Sequence, residues 1–287
     1  MASLRQIRRR MKSIENIHEI TKAMEMIAAF RFKKAEHRFT RSKHYFFELE
    51  RLFSNFSASI ENLTDPLFEK REVTKKLLVL VTADKGLCGS YNTNLFKKTM
   101  LWLKENQKFD AALLTIGKMG YEHFKKRPVT LLSVYPDRSQ VDIAFVKKIT
   151  EDLKTLFLNK TVDSIEILYT DFRVGSAGRT KVIPFLSLGY LLEETGSSGL
   201  PPIDYIYEPG LNEIFRALIS KYLEGEIYGV LLESLVSEHS ARMVAMKQAT
   251  ENGEEVLDDL VLLRNKTRQA TITRELSEIV SGSSVLV

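Results

Sequence analysis

The stretch with the strongest chemical signature is the loop ThrAlaAspLysGlyLeuCysGlySer at residues 82–90. It follows an apolar run and precedes a helical pattern, which is where a phosphate-binding loop would lie. It lacks both the Gly-Lys-[Ser/Thr] ending of a P-loop and the three-glycine spacing of a dinucleotide fingerprint. A shaped surface turn is therefore favoured over a nucleotide site. Cys88 lies near Lys85, but no histidine is close in sequence, so we expect a surface or half-buried thiol rather than a reactive one.

The five histidines provide no catalytic or metal-binding pattern. None has metal-ligand spacing, and none forms a nucleophile signature with Cys88. His18 and His239 lie on helical stripes, where a hydrogen-bonded structural histidine is the default interpretation. The sequence thus predicts no catalytic residue, no cofactor and no metal.

Two groups of cationic residues are candidates for binding a partner. Residues 1–43 contain twelve Lys/Arg against four Glu, a net charge of +8 that exceeds the +5 of the whole chain. Within this segment Arg8, Arg9 and Arg10 favour docking to an acidic protein over nucleic-acid binding, since charge outside a helical seam is usually solvated. Arg268 with Gln269 pairs a forked guanidinium with an amide, which suits a carboxylate or a backbone loop. A solvated helix turn explains that pair equally well.

Long helices must position these residues. Near the C-terminus, apolar-leaning positions recur at alternating steps of three and four, the spacing of a coiled-coil seam: Leu232, Leu235, His239, Arg242, Met246, Ala249, Gly253, Val256, Leu260, Leu263, Thr267 and Ala270. The expected helix runs from Asn212 to Val280, where Ser281-Gly282 should end it.

The N-terminal segment carries a matching pattern. Ser3 and Gln6 form a capping box, so a first helix should run from Ser3 to about Ser57. Its predicted seam begins at four positions and then continues with a shifted phase: Leu4, Ile7, Met11 and Ile14, followed by Ile17, Met24, Ile27, Ala28, Phe32, Ala35 and Phe39. The two terminal helices can pair with each other in an antiparallel coiled coil. Periodicity alone leaves open that each pairs with a copy of itself.

Between the helices, short apolar runs alternate with helical patterns, which indicates an α/β sandwich with a largely parallel sheet. We expect strands at 77–82, 111–116, 129–134 and 164–169, helices at 92–106, 121–126 and 141–157, and a strand at 180–188 placed at the edge by Pro184. The predicted domains are an N-terminal helix (1–62), an α/β domain (75–205) and a C-terminal helix (209–287).

Composition limits the setting of the chain. At 287 residues with 44% hydrophobic and 28% charged content, it has enough apolar material for a core. A single cysteine excludes an internal disulfide and fits a reducing compartment. No apolar run approaches the length of a membrane span, and neither a secretory signal nor a transit peptide is expected.

Three stretches resemble the gamma subunits of rotary F-type ATP synthases. They are IRRRMKSIENIHEITKAMEMIAAFRFKKA from Ile7, TADKGLCGSYN from Thr82 and EHSARMVAMKQATENGEEVLDDLVLLRNKTRQATITRELSEIVSG from Glu238. The resemblance implies an antiparallel coiled coil inside a hexamer of three alpha and three beta subunits, and a Rossmann-like domain that touches the epsilon subunit and the membrane c-ring. It implies a central-stalk rotor that couples ion transport through the c-ring, of protons or sodium ions, to ATP synthesis or hydrolysis. It also implies that the chain is not itself an enzyme and that catalysis takes place on beta.

The resemblance also assigns contact residues. Toward the hexamer it implies a grip at Arg268, Gln269 and Arg242, a loop contact at Lys85, Gly86 and Cys88, and an apolar tip at Val285, Leu286 and Val287. Toward the c-ring and epsilon it implies a foot at Tyr205, Tyr207 and Glu208.

The chain lacks the two-cysteine insertion of plant chloroplast members. The resemblance therefore favours a bacterial enzyme, peripheral on the cytoplasmic face of the cell membrane, with a processed organellar subunit as the alternative. The main alternative function is a Rossmann-like nucleotide-binding protein that dimerises through its helices, and a third is a basic coiled coil that binds nucleic acid.

Overall fold

The computed structural model describes residues 3–58, 65–69, 71–136, 141–173, 178–188 and 210–284. The helices are α1 (Leu4–Ala58), α2 (Tyr91–Glu105), α3 (Lys118–Phe124), α4 (Ile143–Leu158) and α5 (Leu211–Ser284); the strands are β1 (Lys75–Val81), β2 (Asp110–Ile116), β3 (Thr130–Tyr135), β4 (Ser164–Thr170) and β5 (Thr180–Leu186). The chain forms two compact units. We call Met1–Phe30 with Arg242–Val287 the coil unit and Arg31–Ala241 the sheet unit.

The start of α1 is set by the predicted capping box. The Gln6 amide N–H donates to Ser3 Oγ at 3.3 Å, and Gln6 Oε1 accepts from the Ser3 amide at 2.9 Å. Two backbone donors at the helix start thus gain partners that the helix itself cannot supply.

In the coil unit, the seam of α1 keeps one heptad phase throughout. Positions that are buried or half-buried recur at steps of three and four: Leu4, Ile7, Met11, Ile14, His18, Thr21, Glu25 and Ala28. The predicted phase shift is wrong, because His18 and Thr21 occupy the seam while Ile17 and Ile27 lie exposed. Hydrophobicity alone favours the isoleucines as seam residues, whereas the structure places the polar side chains of His18 and Thr21 in the seam, where each has a hydrogen-bond partner.

Three of the twelve predicted α5 seam positions are displaced by one residue. Met246, Gly253, Leu260 and Thr267 lie in the seam as expected, but Val256, Leu263 and Ala270 are exposed. The seam runs instead through the residue that follows each of them: Leu257, Arg264 and Thr271. At each of these places a step of three residues leads to one residue and a step of four leads to the next. Both residues therefore fit a heptad pattern, and contact with the partner helix decides which of them lies in the seam.

The two terminal helices pair with each other and run antiparallel. Leu260 packs with Ile7 and Met11, while the His18 Nε2 and Glu254 Oε1 atoms lie 2.9 Å apart. Thr250 Oγ1 hydrogen-bonds Thr21 Oγ1 at 3.0 Å. Residues later in α1 therefore contact residues earlier in α5, as antiparallel helices do. This confirms the antiparallel coiled coil within one chain, and the alternative in which each seam pairs with a copy of itself is not observed.

The sheet unit is built on five strands in the order β3-β2-β1-β4-β5. β1 pairs in parallel with β2 and β4, β2 with β3, and β5 is antiparallel to β4. The mixed α/β fold is confirmed, and so is the placement of the Pro184 strand at an edge. Central β1 sends alternate side chains to two cores: Leu77, Val79 and Val81 to one, and Leu78 and Leu80 to the other. Both faces of the sheet are thus covered, as in other parallel sheets.

Two predicted helix limits are wrong. α3 begins at Lys118, three residues before the expected Tyr121. Its start follows Gly117, whose left-handed backbone (φ 99°) turns the chain directly out of β2. α5 continues to Ser284, past Ser281-Gly282. Glycine costs a helix only about 1 kcal/mol, so an established helix can pass through it.

Glycines within α5 serve close packing in the sheet unit. A Cβ at Gly225 would lie 2.9 Å from Leu49 Cδ2, and one at Gly229 would lie 3.3 Å from the Phe46 ring. Phe46 also meets Tyr228 edge to face, with centroids 6.1 Å apart. The missing side chains therefore make room for an aromatic ring of α1 against the α5 backbone.

The turn at Gly117 generates the first prediction. A Cβ there would lie 2.2 Å from the Thr82 carbonyl oxygen, and φ is 99°. We expect Gly117→Ala to lower the free energy of unfolding by about 2 kcal/mol or more, because backbone strain and a backbone clash add. Denaturant unfolding followed by circular dichroism measures this. Gly86→Ala is the matched control, since a Cβ at Gly86 would meet no described atom within 4 Å. Equal effects would contradict the prediction.

The coil seam generates a second prediction from two residues of the same type. Ile7 is 3% exposed in the seam, whereas Ile17 is 48% exposed outside it. Ile7→Ala should destabilise the coil by about 2 kcal/mol or more through loss of burial. Ile17→Ala should change stability by less than about 0.5 kcal/mol. Amide hydrogen exchange over residues 4–30 of the full chain distinguishes the two. Faster exchange in Ile17→Ala than in Ile7→Ala would restore the shifted-phase interpretation.

Candidate partner-binding surfaces

The predicted cationic contacts lie on the coil unit, largely outside its seam. Arg8, Arg9 and Arg10 are exposed on α1, and Arg268 and Gln269 are exposed on α5. Leu260 of α5 packs beside Ile7 and Met11, about two turns before Arg268, so both groups lie toward the same end of the coil. Exposed guanidinium groups at one end form a surface that can accept carboxylates from a partner.

Arg242 differs from these residues. It is the first α5 residue of the coil unit, is half-buried and has interactions within the chain. A role at a partner surface would use the exposed part of this side chain only.

Apolar side chains are also unusually exposed on the coil unit. Most of the exposed large hydrophobic residues among the described residues belong to it, although it is the smaller unit. On α1, Ile17, Ile20 and Ile27 form a stripe separate from the seam. On α5, the C-terminal turns expose Ile272, Leu276, Ile279 and Val280. Extended exposed apolar surface is typical of an interaction site.

The loop at residues 82–90 is held from inside by one asparagine. Asn92 Oδ1 accepts from the Ala83 amide at 3.1 Å, and Asn92 Nδ2 donates to Cys88 Sγ at 3.2 Å. Thr82 Oγ1 donates to the Ile116 carbonyl at 3.2 Å and accepts from the Gly120 amide at 2.9 Å. The loop is therefore tied to α2, to the end of β2 and to α3.

Cys88 is placed differently from the expectation. It is 3% exposed and packs in the core on one face of the sheet, so the prediction of a surface or half-buried thiol is wrong. The Cys88 thiol accepts a hydrogen bond from the buried Asn92 side chain one helical turn later, and this contact keeps it on the inner side of the loop. Lys85 and Leu87 are exposed and Gly86 is half-buried, so these residues form the outer surface of the loop.

Three titratable groups of the sheet unit have pKa values that burial shifts. Burial raises the pKa of Glu233, whose carboxylate accepts from the Phe172 amide at 3.0 Å, and burial likewise raises the pKa of Tyr169. Burial, with Arg127 nearby, lowers the pKa of His123, which stacks on Phe96 at 4.0 Å. Each of these groups lies in a structural contact within the sheet unit.

Metal-ligand clusters and helices of membrane-spanning character are both absent from the part of the chain that the structure describes. No group of three or more His, Cys, Asp and Glu side chains there could hold a metal ion. No described helix has a stretch both long and apolar enough to span a bilayer.

Six predicted contact residues fall outside the described residues. These are the foot residues Tyr205, Tyr207 and Glu208 and the tip residues Val285, Leu286 and Val287. Conversely, sequence reasoning did not select the exposed stripe of Ile17, Ile20 and Ile27 as a surface. Its heptad spacing, completed by half-buried Met24, was a signal that could have identified it.

Solved structures with the same fold include two mitochondrial complexes. A chain of the Tetrahymena thermophila ATP synthase central stalk and c-ring structure matches with a TM-score of 0.62 and 23% identity, covering 80% of this chain and 99% of its own. A chain of the Euglena gracilis OSCP/F1/c-ring structure matches with a TM-score of 0.69 and 18% identity, covering 99% and 94%. At these identities the similarity shows the fold alone.

Sequence comparison identifies the family. A family model described as ATP synthase matches residues 3–286. The ATP synthase gamma chain of Moorella thermoacetica is 36% identical over 287 residues, covering all of both chains. That of Chlorobium chlorochromatii is 36% identical over 296 residues, covering 100% of this chain and 99% of its own. The chain therefore belongs to the ATP synthase gamma-chain family.

Proposed function

We propose that this chain is the central-stalk rotor of an F-type ATP synthase, turning inside a hexamer of three alpha and three beta subunits. In this proposal ATP is made and hydrolysed on beta, and the gamma chain, a non-catalytic stalk subunit, transmits the rotation. The observation that carries the proposal is the coil unit, which buries one seam and leaves long apolar and cationic surfaces exposed. The cavity of the hexamer would bury these apolar and cationic side chains, which are exposed in the described part of the coil unit.

The mechanism follows from asymmetry and stiffness. α1 and α5 are each continuous through their described residues of the coil unit, and the antiparallel seam holds them together side by side. A two-helix rod presents different residues in each direction, so rotation would bring each beta subunit a different surface in turn. A surface that binds one beta conformation better than another shifts its population, which is how rotation would drive the three sites through successive states.

The grip on the hexamer is assigned to Arg268 and Gln269, with Arg242 as a second contact. The exposure of Arg268 and Gln269 supports this, because both side chains are available to a partner. In the sheet unit we assign the loop of Lys85, Gly86 and Cys88 to the hexamer, with Cys88 as an internal anchor. Arg8, Arg9 and Arg10 would pair with carboxylates, each worth about 0.2–1 kcal/mol at an exposed site.

The c-ring is proposed as a partner from the names of similar structures, and the epsilon subunit from the resemblance described above. The Tetrahymena structure is named for a central stalk and c-ring, and the Euglena structure for OSCP, F1 and c-ring. We assign Tyr205, Tyr207 and Glu208 to the c-ring and epsilon subunit, and Val285, Leu286 and Val287 to an apolar bearing in the hexamer. A bacterial complex would place the chain on the cytoplasmic face of the cell membrane without inserting it.

The alternative, a nucleotide-binding protein that dimerises through its helices, has less support. The seams that a dimer would use are occupied by each other within one chain. The 82–90 loop is closed on its inner side by Asn92 and Cys88. The first observation removes the surface that a dimer would use, and the second fills the inner side of the loop where a nucleotide would bind.

Co-expression with alpha and beta subunits tests the rotor function. We expect a stable complex with one copy of this chain per hexamer, measured by native mass spectrometry, and ATP hydrolysis that requires this chain. A homodimer that binds nucleotide and ignores alpha and beta would contradict the proposal.

The grip generates a further prediction. Arg268→Ala with Gln269→Ala should lower ATP hydrolysis and synthesis by the complex severalfold, because a charge-assisted hydrogen bond contributes about 1.5–3 kcal/mol. Thermal unfolding of the isolated chain should change little, since both side chains are exposed. Lys247→Ala with Gln248→Ala is the matched control, an exposed cation and glutamine on the same helix. Wild-type turnover by the Arg268/Gln269 variant would exclude this grip.

A further inference from the structure

The last segment of α5 in the sheet unit buries polar side chains, unlike the part of the helix before it. Over residues 215–232 the buried side chains of α5 are apolar. Residues 234–239 then bury four polar residues, each at most 8% exposed: Ser234, Ser237, Glu238 and His239. α5 passes into the coil unit at Arg242, three residues further on. Because a buried polar group destabilises a fold unless it is hydrogen-bonded, this run indicates specific polar contacts.

Three hydrogen bonds join this part of α5 to one edge of the sheet. We call them the polar clamp: the Phe172 amide to the Glu233 carboxylate (3.0 Å), the Tyr91 hydroxyl with the Ser234 hydroxyl (2.7 Å), and the Ser237 hydroxyl to the Asp171 carbonyl (2.7 Å). Tyr91 begins α2, and Asp171 and Phe172 directly follow β4. All three partners of α5 therefore lie where the parallel strands β1 and β4 have their carboxyl ends.

The sheet side of the polar clamp is itself held in place. The Arg179 amide donates to the Asp171 carboxylate at 2.6 Å, and the Asp171 amide donates to the Arg179 carbonyl at 2.9 Å. Arg179 directly precedes β5, which pairs with β4, so two strands support Asp171. The Phe172 ring also meets the Phe32 ring of α1, with centroids 5.8 Å apart. The residues after β4 thus contact both long helices from a fixed position.

Hydrogen bonds resist a rotation of α5 that apolar packing resists less. Burial of apolar surface has no preferred direction, whereas a hydrogen bond weakens steeply when its distance or angle changes. Glu233, Ser234 and Ser237 lie within about a third of the helix circumference of one another, since an α-helix has about 3.6 residues per turn. A rotation of α5 about its own axis would therefore strain all three bonds of the polar clamp together.

We infer that the polar clamp is where the sheet unit transmits torque to α5 as the rotor turns. This inference rests on the proposed function, in which the c-ring drives the stalk and the hexamer resists it. The chain crosses between the two units only within α1 and α5, so the torque has to enter the coil unit through these helices. Glu233, Ser234 and Ser237 are thus positioning residues, which fix the rotational angle of α5 at the point where it leaves the sheet unit.

Substitutions that remove hydrogen bonds but little volume test the polar clamp. Tyr91→Phe with Ser237→Ala removes two of its hydroxyl groups. Glu233→Met removes the acceptor of the Phe172 amide, whereas Glu233→Gln keeps an oxygen there. Thr150→Val is the matched control, because the buried Thr150 hydroxyl donates to a carbonyl within its own helix, α4, at 2.9 Å. It removes a buried hydrogen bond of the sheet unit that does not involve α5.

Each variant is measured with and without a load on the rotor. In a complex with alpha and beta only, ATP hydrolysis turns the chain without load, and we expect wild-type rates. In the whole complex in membrane vesicles, Tyr91→Phe/Ser237→Ala and Glu233→Met should lower the ratio of ions pumped to ATP hydrolysed about twofold or more. Loss of these bonds shifts the equilibrium between held and displaced positions of α5 by about fivefold or more. Glu233→Gln and Thr150→Val should keep the wild-type ratio.

Hydrogen exchange in the assembled complex checks the contact itself, since the Phe172 amide should exchange faster in Glu233→Met than in Glu233→Gln. A wild-type pumping ratio in Tyr91→Phe/Ser237→Ala and in Glu233→Met would overturn the inference and leave the rotor function intact. An equal loss in Thr150→Val, or an equal loss of hydrolysis without load, would also overturn it, because the bonds would then serve folding alone. Failure of the wild-type chain to assemble with alpha and beta would instead remove the proposed function, and this torque path with it.

Discussion

The coil unit depends on a single seam between two helices of the same chain. Each helix contributes one narrow stripe, and the contacts along it include an apolar cluster at Leu260 and a polar pair at Thr21 and Thr250. Two helices in contact can bury only the stripes that face each other. Apolar residues elsewhere on these helices stay exposed, and this geometric constraint explains why the coil unit has so much apolar surface available to a partner.

The polar residues in the seam have a physical function of their own. A purely apolar seam would tolerate a shift of the two helices by one heptad. A buried polar group, in contrast, destabilises the coil if a shift leaves it without its hydrogen-bond partner. Thr21 opposite buried Thr250 meets this condition in one alignment, and half-buried His18 hydrogen-bonds exposed Glu254 in the same alignment. Gly253 brings the backbones close at the same level, since a Cβ added there would lie 3.6 Å from His18 Cβ. A rod that transmits torque benefits from such a fixed register.

The sheet unit follows the opposite rule, since most of its apolar surface is internal. Its central strand is buried on both faces, and its cores extend to α4 and α5 on one side and to α2 and α3 on the other. This dense packing offsets the free-energy cost of the left-handed backbone at Leu87 (φ 60°) in the 82–90 loop. Asn92 and Cys88 anchor the loop on its inner side, and the Leu87 side chain is exposed.

Local features of the sequence were enough to establish the type and order of the elements and the family. Heptad steps of three and four residues, short apolar runs, a capping box at Ser3 and a proline in β5 are each local features, so they can be recognised without the fold. The choice between adjacent seam positions, as at Val256 and Leu257, needed the folded chain, because both satisfy the same spacing and the partner helix selects one. The burial of Cys88 and the exposure of Leu87 also needed it, because a hydrogen bond from Asn92 and the packing of the strand beneath the loop determine which of two neighbouring side chains faces inward.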